Sequence, residues 1–268
     1  MTTIEAPRRR VVLQGWVLAL RLIRPSMRNG EVVTAVLAPT VFTLGFYVPL
    51  NRVMSFVGYG LSSYAQFLMP MIVMQAVSFC GTAAAFRAAA DARDGLDARF
   101  ATMPMPSVTP LLARTVAMGY RIVLSLLTAL VCGHVIGFRF YGSWWHTLGF
   151  VAFALLVGVL IGLVGDLLGT LSKSPEATTQ ALVLPQLILG MVSSGLVPAS
   201  QFPHWIQGFA RDQPISQFVF TLRALAGDRS GRAGAVSWAV LGPGIGWAAA
   251  GSLIFGGAAV LVALRRQR

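Results

Sequence analysis

Val236–Leu264 reads VSWAVLGPGIGWAAAGSLIFGGAAVLVAL, twenty-nine consecutive residues without a charged side chain, and Arg265-Arg266-Gln267-Arg268 follows at once. A helix rises about 1.5 Å per residue and the hydrocarbon core of a bilayer is roughly 30 Å thick, so about 20 such residues cross it. Arginines directly behind an apolar run are retained in the cytoplasm. The stretch therefore predicts a transmembrane helix with a cytoplasmic C-terminus.

The rest of the chain has the same character. Mean hydropathy is +0.71, and charged residues make up 11% against roughly 25% in soluble domains. A single helical membrane unit over 1–268 is expected, not one or two soluble domains. The net charge of +12 comes from 21 basic residues, of which only Lys173 is a lysine. The arginines crowd the ends of apolar runs, which favours membrane lipid headgroups as partners and argues against nucleic acid. Cys80 and Cys132 both fall inside apolar runs and read as small packing residues.

Before the first span, Arg10, Gln14, Arg21, Arg24 and Arg28 share one helical face, with Val12, Trp16, Ala19 and Ile23 opposite. Segment 8–28 is expected to lie in the membrane interface as an amphipathic helix, interrupted by Pro25. No small-x-small cleavage site follows the arginines, so it does not read as a signal peptide. Hydropathy predicts six spans, at 32–50, 64–86, 116–137, 145–168, 178–197 and 238–264. With both termini inside, fourteen basic residues fall on the cytoplasmic side and six outside, the asymmetry expected of a multi-pass plasma-membrane protein.

Two connections exceed a turn. The cytoplasmic one carries Asp91, Arg93, Asp94, Asp97 and Arg99, then Phe100 and Met103 ahead of two prolines. A charged surface helix with an apolar patch reads either as a docking element or as a solvated loop. The other, 198–237, holds short apolar pieces around Phe202, Trp205 and Phe218, too interrupted by Arg211, Asp212 and Arg223 to span. It reads as a re-entrant pair of short helices at the outer surface. Phe202, Trp205, Arg211 and Arg223 then either anchor the neighbouring spans or form an outer gate.

No phosphate-cradling G-x-x-x-x-G-K-[ST] exists around Lys173, and His134, His146 and His204 lie too far apart for a metal motif. No catalytic residue, metal site or cofactor site is expected. Gly158, Gly162, Gly165 and Gly169 recur at helical spacing and predict close helix packing. Gly242-Pro-Gly-Ile-Gly246 marks either a flexible gate or a packed kink. Arg121 and Asp166 lie within consecutive spans, where an ion pair or a snorkelling Arg121 is the expected arrangement and a proton-coupling Asp166 the alternative.

Several segments together are similar to the ABC-2 type exporter permeases, in particular the daunorubicin-resistance permease B group of actinobacteria. The resemblance rests on the amphipathic first helix and on Asp91–Arg99 running into Thr102-Met-Pro-Met-Pro106. It rests further on Gly195-Leu-Val-Pro198, Phe202-Pro-His-Trp205, Gln213-Pro-Ile-Ser216 and Leu222-Arg-Ala-Leu225. The cytoplasmic stretch uses Asp where the family more often has Glu. The resemblance implies an all-α membrane fold of six transmembrane helices, a coupling helix between spans two and three, and a re-entrant helical pair between spans five and six. It also implies two permease subunits, identical or sibling chains, working with two P-loop ATPase subunits that hold ATP and Mg2+. Hydrophobic drugs, polyketides and complex lipids are the implied cargo. Mycobacterial members look most alike, which adds envelope lipids such as phthiocerol dimycocerosate. Two other readings remain at this point: a proton-coupled secondary transporter using Asp166, and an integral-membrane enzyme acting on lipids.

Overall fold

The computed structural model describes residues 8–27, 30–57, 61–103, 106, 108–172, 174–228 and 236–265, and every regular element among them is helical. In chain order these are α1 (Arg8–Ser26), α2 (Glu31–Val57), α3 (Tyr64–Arg93), α4 (Leu96–Ala101) and α5 (Thr109–Val135). Then come α6 (Trp144–Ser172), α7 (Pro175–Met191), a short turn at Ala199–Gln201, α8 (His204–Asp212), α9 (Pro214–Ala226) and α10 (Trp238–Arg265). Five of them, α2, α3, α5, α6 and α10, are long and apolar enough to cross a bilayer. Arg28, Lys173, Arg229, Arg232, Arg266, Arg268, Met105 and the side chain of Asp97, all used in the charge or docking readings, lie outside the described residues.

At the centre stands α3, buried along nearly its whole length, its polar Gln66, Gln75, Ser78 and Thr82 included. Its tightest partner is α6, and the glycine row explains why. A Cβ on Gly165 would run into the carbonyl oxygen of Gly81, and one on Gly169 into that of Ala85. Gly158 and Gly162 are filled instead by Ile122 and Met118 of α5. The row therefore serves two partners, α3 and α5. Gly244 approaches Thr221 and the Gln217 carbonyl of α9, so the Gly-Pro-Gly stretch is a packing contact inside a continuous α10.

Of the helix boundaries that differ from the hydropathy reading, three bear on the site. The third long helix begins at Thr109 with Pro110 in its first turn, seven residues before 116, so Arg114 belongs to a helix and not to a loop. The second runs on to Arg93, which places Asp91 and Arg93 in α3. The fifth predicted span, 178–197, is a 17-residue helix that stops at Met191, a rise of about 26 Å. Small and polar residues end it: Ser193 Oγ donates to the Gly190 carbonyl at 2.7 Å, and the Ser194 N–H donates to Ser216 Oγ of α9 at 3.0 Å. The carbonyls left open at the end of such a helix need partners. Gln213 supplies them, its side-chain amide donating to Leu189 O and Val192 O at 3.0 Å each.

Helix α9 then runs into the bundle against α3, α6 and α10, with Phe218, Leu222 and Arg223 buried, whereas α8 remains largely exposed. The connections around it are tied together. Gln66 donates to Arg139 O at 2.9 Å and Gly227 O at 2.7 Å, and accepts from the Arg139 N–H. Tyr141 N–H donates to Ala226 O at 2.9 Å, and Ser62 donates to Asp228 from both its N–H and its hydroxyl. One amide side chain thus ties two connections to the start of α3 at the α9 end of the bundle.

Candidate functional site

The opposite end, where α1 and α4 lie, is held by charges. Glu31 opens α2, a position where the helix dipole favours a carboxylate. Its Oε2 accepts from Arg87 of α3 and from Arg121 Nη1 of α5, the latter at 2.9 Å. Asp166 of α6 pairs with Arg114, whose Nε lies 2.7 Å from one carboxylate oxygen and whose Nη2 donates to the other at 3.3 Å. Arg114 and Arg121 stand about two turns apart on α5 and so share a face, from which one reaches α6 and the other α2.

The expected Arg121–Asp166 pair therefore does not form. Each residue has a partner that the hydropathy reading set aside, Glu31 because it precedes the apolar run and Arg114 because it was assigned to a loop. Both left a sequence signal. Glu31 is the single acid bordering the first span, and Arg114 follows an N-terminal Pro110 by about one turn. Arg121 is only 4% exposed and its Nε–H has no partner.

Beside this cluster α2, α3, α5 and α7 enclose a cleft of ≈ 300 Å³. Glu31 and Arg121 line it, with Thr34, Phe79, Ala83 and Val183 among the apolar and hydroxyl groups further along. Deeper along the α3–α7 contact, Gln186 donates to Gln75 Oε1 at 3.1 Å and accepts from Thr82 at 3.3 Å. That chain of neutral groups within long apolar helices escaped the hydropathy scan, because isolated Gln and Thr barely lower a window average.

The charged connection is shorter and more inward than expected. Gly95 turns the chain with φ +69°, and α4 covers only Leu96–Ala101. Phe100, read as an exposed knob, is half-buried. It lines a ≈ 100 Å³ cavity with Leu18 and Leu22 of α1, Asp91, and Pro110 and Arg114 of α5. Burying one ring under α4 anchors that short helix to the bundle. Met103, 45% exposed, is the apolar side chain presented outward, with Arg93, Asp94 and Arg99 exposed nearby in sequence.

The four residues grouped as an outer gate are not brought together. Trp205 is 82% exposed on α8, Phe202 is half-buried at its start, and Arg211 is spent on an exposed bidentate pair with its neighbour Asp212. That hydrogen bond holds the Asp212 carboxyl below its usual range. Arg223 instead lies buried, donating to Phe67 O at 2.9 Å and Ser194 O at 3.3 Å, with its guanidinium 4.0 Å from the Phe67 ring centre. It fastens α9 to α3 and offers nothing to a passing headgroup. Among the described residues no three His, Cys, Asp or Glu side chains cluster as a metal site would require.

The family model described as ABC-2 family transporter protein matches residues 34–261. The doxorubicin resistance ABC transporter permease protein DrrB of Mycobacterium tuberculosis is 42% identical over 258 residues, covering 94% of this chain and 89% of that protein. A probable doxorubicin resistance ABC transporter permease, DrrC, of the same organism is 26% identical over 73% of this chain and 70% of its own length. The daunorubicin resistance ABC transporter permease protein DrrB1 of Streptomyces coeruleorubidus is 23% identical over 73% of this chain and 68% of its own.

Proposed function

The chain belongs to the ABC-2 family of transporter proteins, and from that premise we propose that it is the membrane-spanning subunit of an ATP-driven exporter. The carrying observation is the family match across 34–261 on a chain whose single lysine leaves no loop able to cradle a nucleotide phosphate. ATP and Mg2+ then belong to a separate P-loop ATPase, in two copies, beside two permease subunits that are copies or siblings. The arginine asymmetry supports a plasma-membrane orientation with both termini in the cytoplasm. In that orientation α1 lies in the inner headgroup layer, α7 completes six spans, and α8 with α9 forms the outward re-entrant segment.

Helix α4 is the coupling element in this reading. Met103, with Arg93, Asp94 and Arg99 around it, meets the ATPase. Phe100, seated between α1 and α5, passes displacement of α4 into the bundle. The names of the relatives support hydrophobic drugs such as doxorubicin and daunorubicin as cargo, and polyketides or envelope lipids such as phthiocerol dimycocerosate share their apolar bulk. Proton coupling through Asp166 is disfavoured by its engagement with Arg114 at 2.7 Å.

Purification of the tagged chain from native membranes should bring down a P-loop ATPase. Met103→Glu combined with Arg99→Glu should then reduce substrate-stimulated ATP hydrolysis without reducing the amount of inserted permease. Export driven by a proton gradient in ATP-free vesicles overturns the reading.

A further inference from the structure

The cleft beside the charged cluster has properties that an exporter's general architecture does not explain. Its volume, ≈ 300 Å³, matches the lower range of small-molecule sites. Along α2 its wall runs from Glu31 through Thr34 and Ala35 to Ala38, so one end is charged and the remainder is lined by apolar and hydroxyl side chains. Thr34 and Phe86 are exposed at its rim, which leaves it open sideways between helices, towards where bilayer lipid lies.

At the charged end Arg121 has only a shared acceptor. One carboxylate oxygen of Glu31 serves both Arg87 and Arg121, and two guanidiniums drawn to one oxygen repel each other. Of the other acids nearby, Asp166 holds Arg114 and Asp91 acts on Arg87 and Arg114, which leaves Arg121 with the shared oxygen of Glu31. Arg121, almost wholly buried, still has an unpartnered Nε–H. A cation arriving here meets two guanidiniums and a carboxylate already neutralised. A second anion relieves their repulsion and gives the free donor an acceptor.

We propose that this cleft binds an amphipathic acid, with a phosphate or carboxylate head against Arg121 and an apolar tail along Ala35, Ala38, Phe79 and Ala83. The site stands on the cleft itself and goes beyond export: binding is measured without ATP, so its failure leaves the transport reading untouched.

The test uses the full chain, with any subunits that co-purify, in phosphatidylcholine nanodiscs. These are doped at equal mole fraction with diazirine-bearing phosphatidic acid or diazirine-bearing phosphatidylcholine, and adducts are mapped by peptide mass spectrometry. Phosphatidic acid should label the cleft-facing parts of α2 and α3 about tenfold more than phosphatidylcholine, the factor expected from one additional charge-assisted contact. Arg121→Gln should remove that preference. Ala83→Phe, which fills the tail path without touching the charges, should abolish cleft labelling in a protein of unchanged melting temperature, and it carries the test if Arg121→Gln does not fold. Equal labelling by both lipids overturns the proposal, as does labelling indifferent to Ala83→Phe. Displacement of the probe by millimolar inorganic phosphate also overturns it, because the site would then read a free anion.

Discussion

The two ends of this bundle are fastened by different chemistry. At the α9 end, neutral amides and hydroxyls bond to backbone: Gln66 to Arg139 and Gly227, Gln213 to the last carbonyls of α7, Ser194 and Ser216 to the turn between α8 and α9. Even its one buried cation, Arg223, is spent on carbonyls. At the α4 end, guanidiniums reach carboxylates from helix to helix, Glu31 with Arg87 and Arg121, and Asp166 with Arg114. A bond to a backbone carbonyl fixes where the helix itself must be. A long guanidinium side chain can follow its carboxylate through a small shift between helices. The α9 end is therefore built to stay, and the α4 end to tolerate sliding, which suits the end assigned here to the ATPase.

Removing Glu31 should do most damage. Glu31→Ala leaves Arg121 buried without an anion, and breaking such a pair costs about 3–5 kcal/mol. A large fall in the detergent melting temperature is expected, partly recovered when Arg121→Met is added. A single mutant as stable as the parent would erase the distinction between the ends. Arg223→Met comes next. It strips a charged donor from two buried carbonyls, with an expected loss of about 2–3 kcal/mol. Because the change acts on the fixed end, coupling of ATP hydrolysis to substrate should persist in whatever fraction folds, and loss of coupling at full stability would break the contrast.

Gln66→Leu should cost about 1–3 kcal/mol, read as faster amide exchange at Gly227 and Tyr141 while the α4 end stays protected. Exchange rising equally at both ends would mean that the ends are not separate units. The smallest effect belongs to Asp212→Asn. The Arg211 hydrogen bond lowers the Asp212 carboxyl, so its contribution is present above the ordinary carboxylate range and lost as pH falls through the lowered folded value. The pair is exposed and screened, so melting curves of mutant and parent should nearly coincide at neutral pH and converge fully in acid.

The contrast between the ends also separates what could be read in advance. The neutral knot left almost no mark in the sequence, because Gln66, Gln213 and Ser194 look like ordinary polar residues beside apolar runs. Their role arises only where a connection from elsewhere in the chain passes close by. The charges are conspicuous, and Arg121 and Asp166 stand out as residues needing partners, yet neither takes the other. Because α5 begins at Thr109 and not at 116, Arg114 stands on the helix and takes Asp166. The glycine row announced close packing, but its division between α3 and α5 depends on where those helices stand. Phe100 was recognised as an apolar residue with a purpose, and its purpose is to seat α4 on the bundle.

By itself the sequence determined that this chain crosses a membrane repeatedly, where long apolar helices lie, that two short helices interrupt the pattern before the last span, and which family the whole resembles. Those properties are local: hydropathy, helix breakers and a period of about 3.6 residues need no knowledge of neighbours. Tertiary structure alone decided that α3 is the core, that α7 stops at Met191, that Arg223 is a fastener, and that Glu31 is the acid for Arg121. Successive residues of a helix point about 100° apart, and a charge in a low-dielectric bundle pairs with whichever opposite charge a neighbouring helix brings to that face.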